Sequence, residues 1–338
     1  MSDTVVCEDA HLKRKVVIKS LKPGVATHRL MDELSALSAI RSKHVVQILD
    51  VVTNALGDIV GLVEEYIDGT DLTPIQNISN QEEILRALYP IAAGICDIHS
   101  HGRVHRDIKP DNMKIDSEGV LKIFDFGLAK IDGKAATSNL YFSPGYSAPE
   151  IFHQDASGKH NFTPAVDTFA FGCTSLWILS NGSLPACLLS VPPKLPSGDC
   201  DFLKLAVKLP PQVAAMLNDC LHIDANKRPS LKSIMDLIGR YILHGKHKML
   251  LTYGGKEYKL DQANPKVTLD SNGSGINIQY DGLDFTVTAV TGSVHINNSP
   301  VAKGFILKGA SVIVLGPVGG SVPRASITAD VSHPEVVH

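Results

Sequence analysis

The chain has 338 residues, 44% hydrophobic and 20% charged, which can bury more than one core and by length corresponds to about two domains. Its formal net charge of -3 excludes the broad basic field that nucleic acid or an anionic membrane attracts. Six cysteines form no C-x-x-C pair and 14 histidines no H-E-x-x-H spacing, so a reducing compartment is expected and a zinc site has no support.

The N-terminus "MSDTVVCEDAHLKRK" has charges where a signal peptide needs an apolar centre, and no apolar run approaches the ~18 residues of a membrane span. A cytoplasmic protein with neither membrane nor nucleic-acid partners is expected. Residues 4–20 read as two strands, "TVVCED" and "RKVVIKS". A helix follows in "ATHRLMDELSALSAIRS", where Leu30, Leu34, Leu37 and Ile40 recur at three- and four-residue steps and Glu33 falls near the edge of the apolar face. The strands "VVQILDVVTN" and "DIVGLVEEYI" finish a first lobe. From Gln81 to Ser100 an amphipathic helix opens a mostly helical region, continued by "DTFAFGCTSLWILSNG", "PPQVAAMLNDCLHI" and "SLKSIMDLIGRYIL". "SVPPKLPSGDC" is a loop, because its prolines forbid a continuous helix. Beyond Lys246 the texture changes to short alternating runs punctuated by Gly, Asn and Asp, which reads as an all-β sandwich. The last ten residues offer little to bury and are expected to be a tail.

The segment "HRDIKPDN", His105 to Asn112, is followed by "KIFDFGLAK", "GYSAPE" and "KRPS". Their order and intervals resemble the eukaryotic-type (Hanks-type) Ser/Thr protein kinase family over residues 4 to about 243. The fold this implies is α+β: a bilobal kinase with a shortened N-lobe (residues 1–67), a C-lobe (68–245), then an all-β sandwich (246–328) and a tail (329–338).

The resemblance also implies roles. Phosphoryl transfer relies on positioning and charge neutralisation, so its site needs a carboxylate for the incoming hydroxyl, cations for phosphate and oxygen ligands for a metal. Asp107 matches the residue that orients the hydroxyl and Lys109 the adjacent cation. Asn112 and Asp125 match the ligands of Mg2+, and Lys19 and Glu33 match the strand lysine and its helix partner. "EEYIDGTDL" resembles the hinge, with Glu65 to Ile67 meeting adenine and Asp71 reaching the ribose of ATP. Glu64 then stands at the gatekeeper position, where a carboxylate needs a cation, an opening to water, or a hinge register shifted by one. Asp167 matches the brace of the catalytic loop, and Glu150 with Arg228 an ion pair of the C-lobe. Thr137 and Ser138 are candidate phosphosites with Arg106 as receiver, and Ser143 matches a substrate-binding hydroxyl.

Met1 to Ser20 contains no glycine, so the glycine-rich loop that covers the phosphates in this family is expected to be missing. Each lost backbone contact would cost roughly 1.5–3 kcal/mol, which implies weak ATP affinity. Two readings follow: a Ser/Thr kinase acting on protein substrates and on itself, or a pseudokinase scaffold. The complete set Lys19, Glu33, Asp107, Lys109, Asn112 and Asp125 favours the first.

"SVHINNSPVAKGFILKGASVIVLG" resembles the later strands of a forkhead-associated domain. It carries no Gly-Arg for phosphothreonine capture, and Arg324 is the single arginine after Lys248. A forkhead-associated-like sandwich that packs on the kinase or makes a homodimer is expected, with an unrelated β-sandwich of the same strand periodicity as the alternative.

Overall fold

The computed structural model describes residues 2–21, 28–76, 80–131, 141–160, 162–206, 208–319, 323–332 and 334–336. They form two compact units, residues 1–238 and 239–337.

The first unit begins with an antiparallel hairpin, β1 (Ser2–Asp9) and β2 (Arg14–Leu21). Asp9 shapes its turn by accepting the N–H groups of His11 and Leu12 at 3.0 Å each. Helix α1 (His28–Ala39) follows, then β3 (Ile48–Thr53) and β4 (Ile59–Glu65), which complete a sheet of order β1-β2-β4-β3. Leu30, Glu33, Leu37 and Ile40 are all buried, so Glu33 lies within the buried stripe of α1 and not at its edge. The spacing of three, four and three residues that buries the apolar side chains carries the carboxylate inward with them.

The helical part contains β5 (Gly69–Asp71), α2 (Gln81–Ser100), β6 (Arg103–Val104), β7 (Met113–Asp116), β8 (Leu121–Ile123) and β9 (Lys130–Ile131). It continues with α3 (Pro164–Leu179), α4 (Ala186–Leu189), α5 (Pro211–Cys220) and α6 (Leu231–Ile242). Helix α2 starts where Asn80 accepts the Glu83 N–H at 2.9 Å, and Glu82 and Glu83 complement the positive end of its dipole. Helix α3 is buried along almost its whole length, as a helix without a polar face must be, and it is the central post of this region. The small sheets β5-β7-β8 and β6-β9 are built, apart from β5, from the stretch of chain between α2 and α3.

The second unit is an antiparallel sandwich. Its strands are β10 (Met249–Tyr253), β11 (Lys256–Leu260), β12 (Lys266–Ser271), β13 (Ser274–Tyr280), β14 (Phe285–Thr291), β15 (Val294–Ile296), β16 (Ser299–Pro300), β17 (Ile306–Leu307), β18 (Ser311–Leu315) and β19 (Ala325–Val331). One sheet has the order β11-β10-β19-β18-β15-β16 and the other β12-β13-β14-β17. Alternate residues of both, among them Leu251, Ile278, Val287, Ile313 and Ile327, meet in one apolar core. The β15–β16 turn places Asn297 and Asn298 at φ 48° and 66°, conformations that asparagine tolerates better than most residues. Asn297 also accepts the Val312 N–H at 2.9 Å.

Two expected boundaries shift. Strand β19 runs to Val331, with Ala329 and Val331 buried, so the stretch expected as tail from residue 329 begins inside a strand held between β10 and β18. The second unit starts before residue 246 because the preceding connection bonds to the sandwich: the Gly245 N–H donates to Gly282 O at 2.7 Å, and Arg240 pairs with Asp284.

Candidate active site

Strand β2 sets the first half of the site. Lys19 faces Leu62 in register and Val17 faces Glu64, so Lys19, Val17 and Glu64 share one side of the sheet. The Lys19 Nζ donates to Glu33 Oε1 at 2.5 Å and to Asp125 Oδ1 at 2.8 Å. Burial alone would lower the lysine, but the carboxylates of Glu33, Asp125 and Glu64 hold it well above its ordinary value, as a permanent cation. Burial likewise pushes Asp125 up, and Lys19 more than reverses this, keeping that carboxyl ionised. Asp125 has φ 62°, a left-handed turn that leaves its side chain 49% exposed.

The loop after β6 supplies the second half. Asp167, in the first turn of α3, accepts the backbone N–H groups of His105 and Arg106, each at 2.8 Å, and lies 2.9 Å from His99 Nε2. Burial would raise its carboxyl, but His99 and these donors hold it below the usual range. With this brace Arg106 stands at φ 73° and Asp107 faces Ser143. Asp107 Oδ1 accepts the Ser143 hydroxyl at 2.6 Å, and its Oδ2 accepts Lys109 Nζ at 2.8 Å and Asn112 Nδ2 at 2.9 Å. Lys109 Nζ also donates to Ser143 Oγ at 2.9 Å. Further along, Arg228 grips Glu150 with two bonds of 2.6 and 2.7 Å and donates to the carbonyls of His222 and Ala165.

Lys19, Glu33, Glu64, Asp107, Lys109, Asp125 and Ser143 line one cleft of about 740 Å³, within the range of small-molecule sites. Residues Glu65 to Ile67 also border it. The Glu65 side chain turns elsewhere, accepting the Gln47 N–H at 2.9 Å and Lys122 Nζ at 2.8 Å. Asn112 joins the site through Asp107. Asp71 is not among the lining residues; its side chain is 81% exposed, 3.7 Å from Lys114. The candidate phosphosites Thr137 and Ser138 lie outside the described residues. The Arg106 guanidinium stacks 3.6 Å from the centroid of the Phe162 ring.

A family model for the protein kinase domain matches residues 1–237. The chain belongs to the protein kinase family. A serine/threonine-protein kinase of Corynebacterium efficiens is 33% identical over 191 residues, 53% of this chain and 36% of that protein. The carbon catabolite-derepressing protein kinases of Candida glabrata and Saccharomyces cerevisiae are each 29% identical over 228 residues, 66% of this chain and about a third of their own lengths (35% and 34%). The chain thus spans about a third of the length of these curated relatives.

Several residues in and around the cleft were not singled out by sequence reasoning. His99 supports Asp167 from α2, one helix away, and Lys122 holds Glu65; no local motif marks either residue. Val17 could have been found, since it lies two residues from Lys19 on a strand and therefore on the same face. Glu64 lines the cleft while the Glu65 side chain turns away from it, as strand alternation requires. Glu64 is buried, and Lys19 gives its short contacts to Glu33 and Asp125 instead. Burial pushes the Glu64 carboxyl up to about 7, with Lys19 opposing the rise.

Among the described residues no helix is long and apolar enough to cross a membrane.

Proposed function

We propose that this chain is an active serine/threonine kinase that transfers the γ-phosphate of ATP to hydroxyls of protein substrates and of its own activation segment. The observation that carries the reading is the seat around Ser143 Oγ, where a hydroxyl donates to Asp107 at 2.6 Å while Lys109 donates to the same oxygen at 2.9 Å. An acceptor hydroxyl in that seat gives its proton to Asp107 as its oxygen bonds to phosphorus and the bond to the departing ADP oxygen breaks. Lys109 and Lys19 supply positive charge where phosphate oxygens gather it.

The donor set suits Mg2+. Asn112 spends its Nδ2 on Asp107, which leaves Oδ1 for a cation, and Asp125 adds an ionised carboxylate; two hard oxygens match an ion that keeps several waters. When bound, magnesium would neutralise charge on the phosphates.

A pseudokinase scaffold is the second reading. In the sandwich, Ser274 is buried with its hydroxyl accepting the Ser293 N–H at 3.0 Å, an architectural role. This speaks against phosphothreonine capture by a forkhead-associated-like module and leaves packing on the kinase or self-association as its roles. Incubation with γ-labelled ATP and magnesium discriminates the two readings of the kinase. Label on serine or threonine that Asp107→Ala abolishes and a surface substitution spares is the expected result. No label with ATP into the millimolar range would leave the scaffold, and label mainly on tyrosine would overturn the residue class.

A further inference from the structure

The back of the cleft contains an acidic group without a role in the chemistry above. Glu64 is 6% exposed and lines the cleft, and its Oε1 is sealed from solvent without a hydrogen-bond partner. Leaving a buried polar atom unpartnered is costly, so it stands out in an otherwise satisfied cleft. Its charged neighbours are Lys19 on β2, Glu33 on α1, Asp125 after β8 and Glu65 on β4 itself. Lys19, the single cation of that set, is held by Glu33 and Asp125.

The surroundings specify what could complete it. A phosphate is repelled by the Glu64 carboxylate and attracted by the Lys19 ammonium, so the anionic end of a nucleotide belongs by Lys19 and not by Glu64. Val17, directly opposite Glu64 on β2, presents an apolar side chain to the same cleft, the surface on which a flat base rests. An ionised carboxyl accepts hydrogen bonds and donates none, and its terminal torsion rotates over a broad range, so either oxygen can turn to a donor in the cleft. A nucleotide base offers such a donor in an exocyclic amine.

We propose that Glu64 reads the base: its carboxyl accepts a hydrogen bond from the exocyclic amine of an aminopurine nucleotide in the cleft. This rests on the cleft being a nucleotide site. A bound N–H donor would satisfy the orphan oxygen and favour the ionised form of a carboxyl that burial holds up to about 7. Glu64 is therefore a specificity-determining residue, distinct from the hinge backbone at Glu65 to Ile67.

The test compares ATP with purine riboside triphosphate, which lacks only the amine, by calorimetric titration of the full chain and of Glu64→Leu and Glu64→Gln. The wild type should prefer ATP by about tenfold more than Glu64→Leu does, the effect of one hydrogen bond to a charged group. Glu64→Gln, which keeps an acceptor oxygen without the charge, should fall between. Equal ATP preference in wild type and Glu64→Leu overturns the assignment while leaving the cleft a nucleotide site. Binding of neither nucleotide by the wild type into the millimolar range overturns both.

Discussion

The two units bury different kinds of residue. Among the described residues the first encloses Lys19, Glu33, Glu64, Asp167 and Arg228, whereas the sandwich buries no charged residue, only the hydroxyls of Ser274 and Tyr280. Its core is otherwise apolar, from Met249 through Ile278 and Val287 to Val331. Removing an ion from water is expensive, so buried charges persist only where partners hold them and where something other than stability requires them. The contrast locates chemistry in the first unit and architecture in the second.

Three substitutions test that contrast. The largest effect should come from Arg228→Ala, which strands Glu150 and two carbonyl groups: a loss of about 3–5 kcal/mol in denaturant unfolding. The single tryptophan, Trp177 in α3, reports on the first unit, so its fluorescence should show the shift. A loss under 1 kcal/mol would mean that this buried pair is dispensable to the fold.

Glu64→Leu should move stability the opposite way, and in a pH-dependent manner. The folded carboxyl keeps its proton up to about 7, whereas the unfolded one releases it near its ordinary value of 4.5. Between these values the folded state holds more protons, so wild-type stability falls as pH rises, by about 3 kcal/mol in total. Relative to wild type, the leucine variant should therefore gain about 3 kcal/mol more at pH 8 than at pH 4.5. A pH-independent difference would show that Glu64 ionises without penalty.

The smallest effect belongs to the sandwich. Asn297→Ala loses a side chain that tolerates φ 48° and the bond to Val312 N–H, at a cost of about 1–2 kcal/mol. Circular dichroism should register it while Trp177 fluorescence does not change; a matching shift of the fluorescence transition would break the assignment of Asn297 to a purely local role.

Much of this was legible in the sequence. Helix α2 spans Gln81–Ser100 as expected, because an apolar stripe, an N-cap asparagine and two early glutamates all agree. The candidate residues Asp107, Lys109, Asn112 and Ser143 could be singled out because their order along the chain is distinctive, and the structure brings them within hydrogen-bond reach of one another. Glu33 is expected at the edge of the apolar face and is instead fully buried, because the helix spacing carries it inward and Lys19, on a strand fourteen residues earlier, pairs with it there. The two-residue strands β6 and β9 are too short to carry a period. The last part of β19 was missed for another reason: "TADV" alternates small and polar residues weakly, and its burial is decided by partners far away in sequence.

That strand has a consequence for how the molecule is made. Because β19 lies between β10 and β18, the first strand of the sandwich cannot gain its inner neighbour until the last has left the ribosome. Met249 waits for Val331, and in the meantime β10 can pair only with β11, leaving its other edge open. The first unit contains no such long-delayed closure in its N-terminal sheet, where β1 pairs with β2 as a hairpin. Synthesis should therefore yield a kinase unit that is already folding while the sandwich is still an open sheet, and that interval is when the chain most needs protection from aggregation.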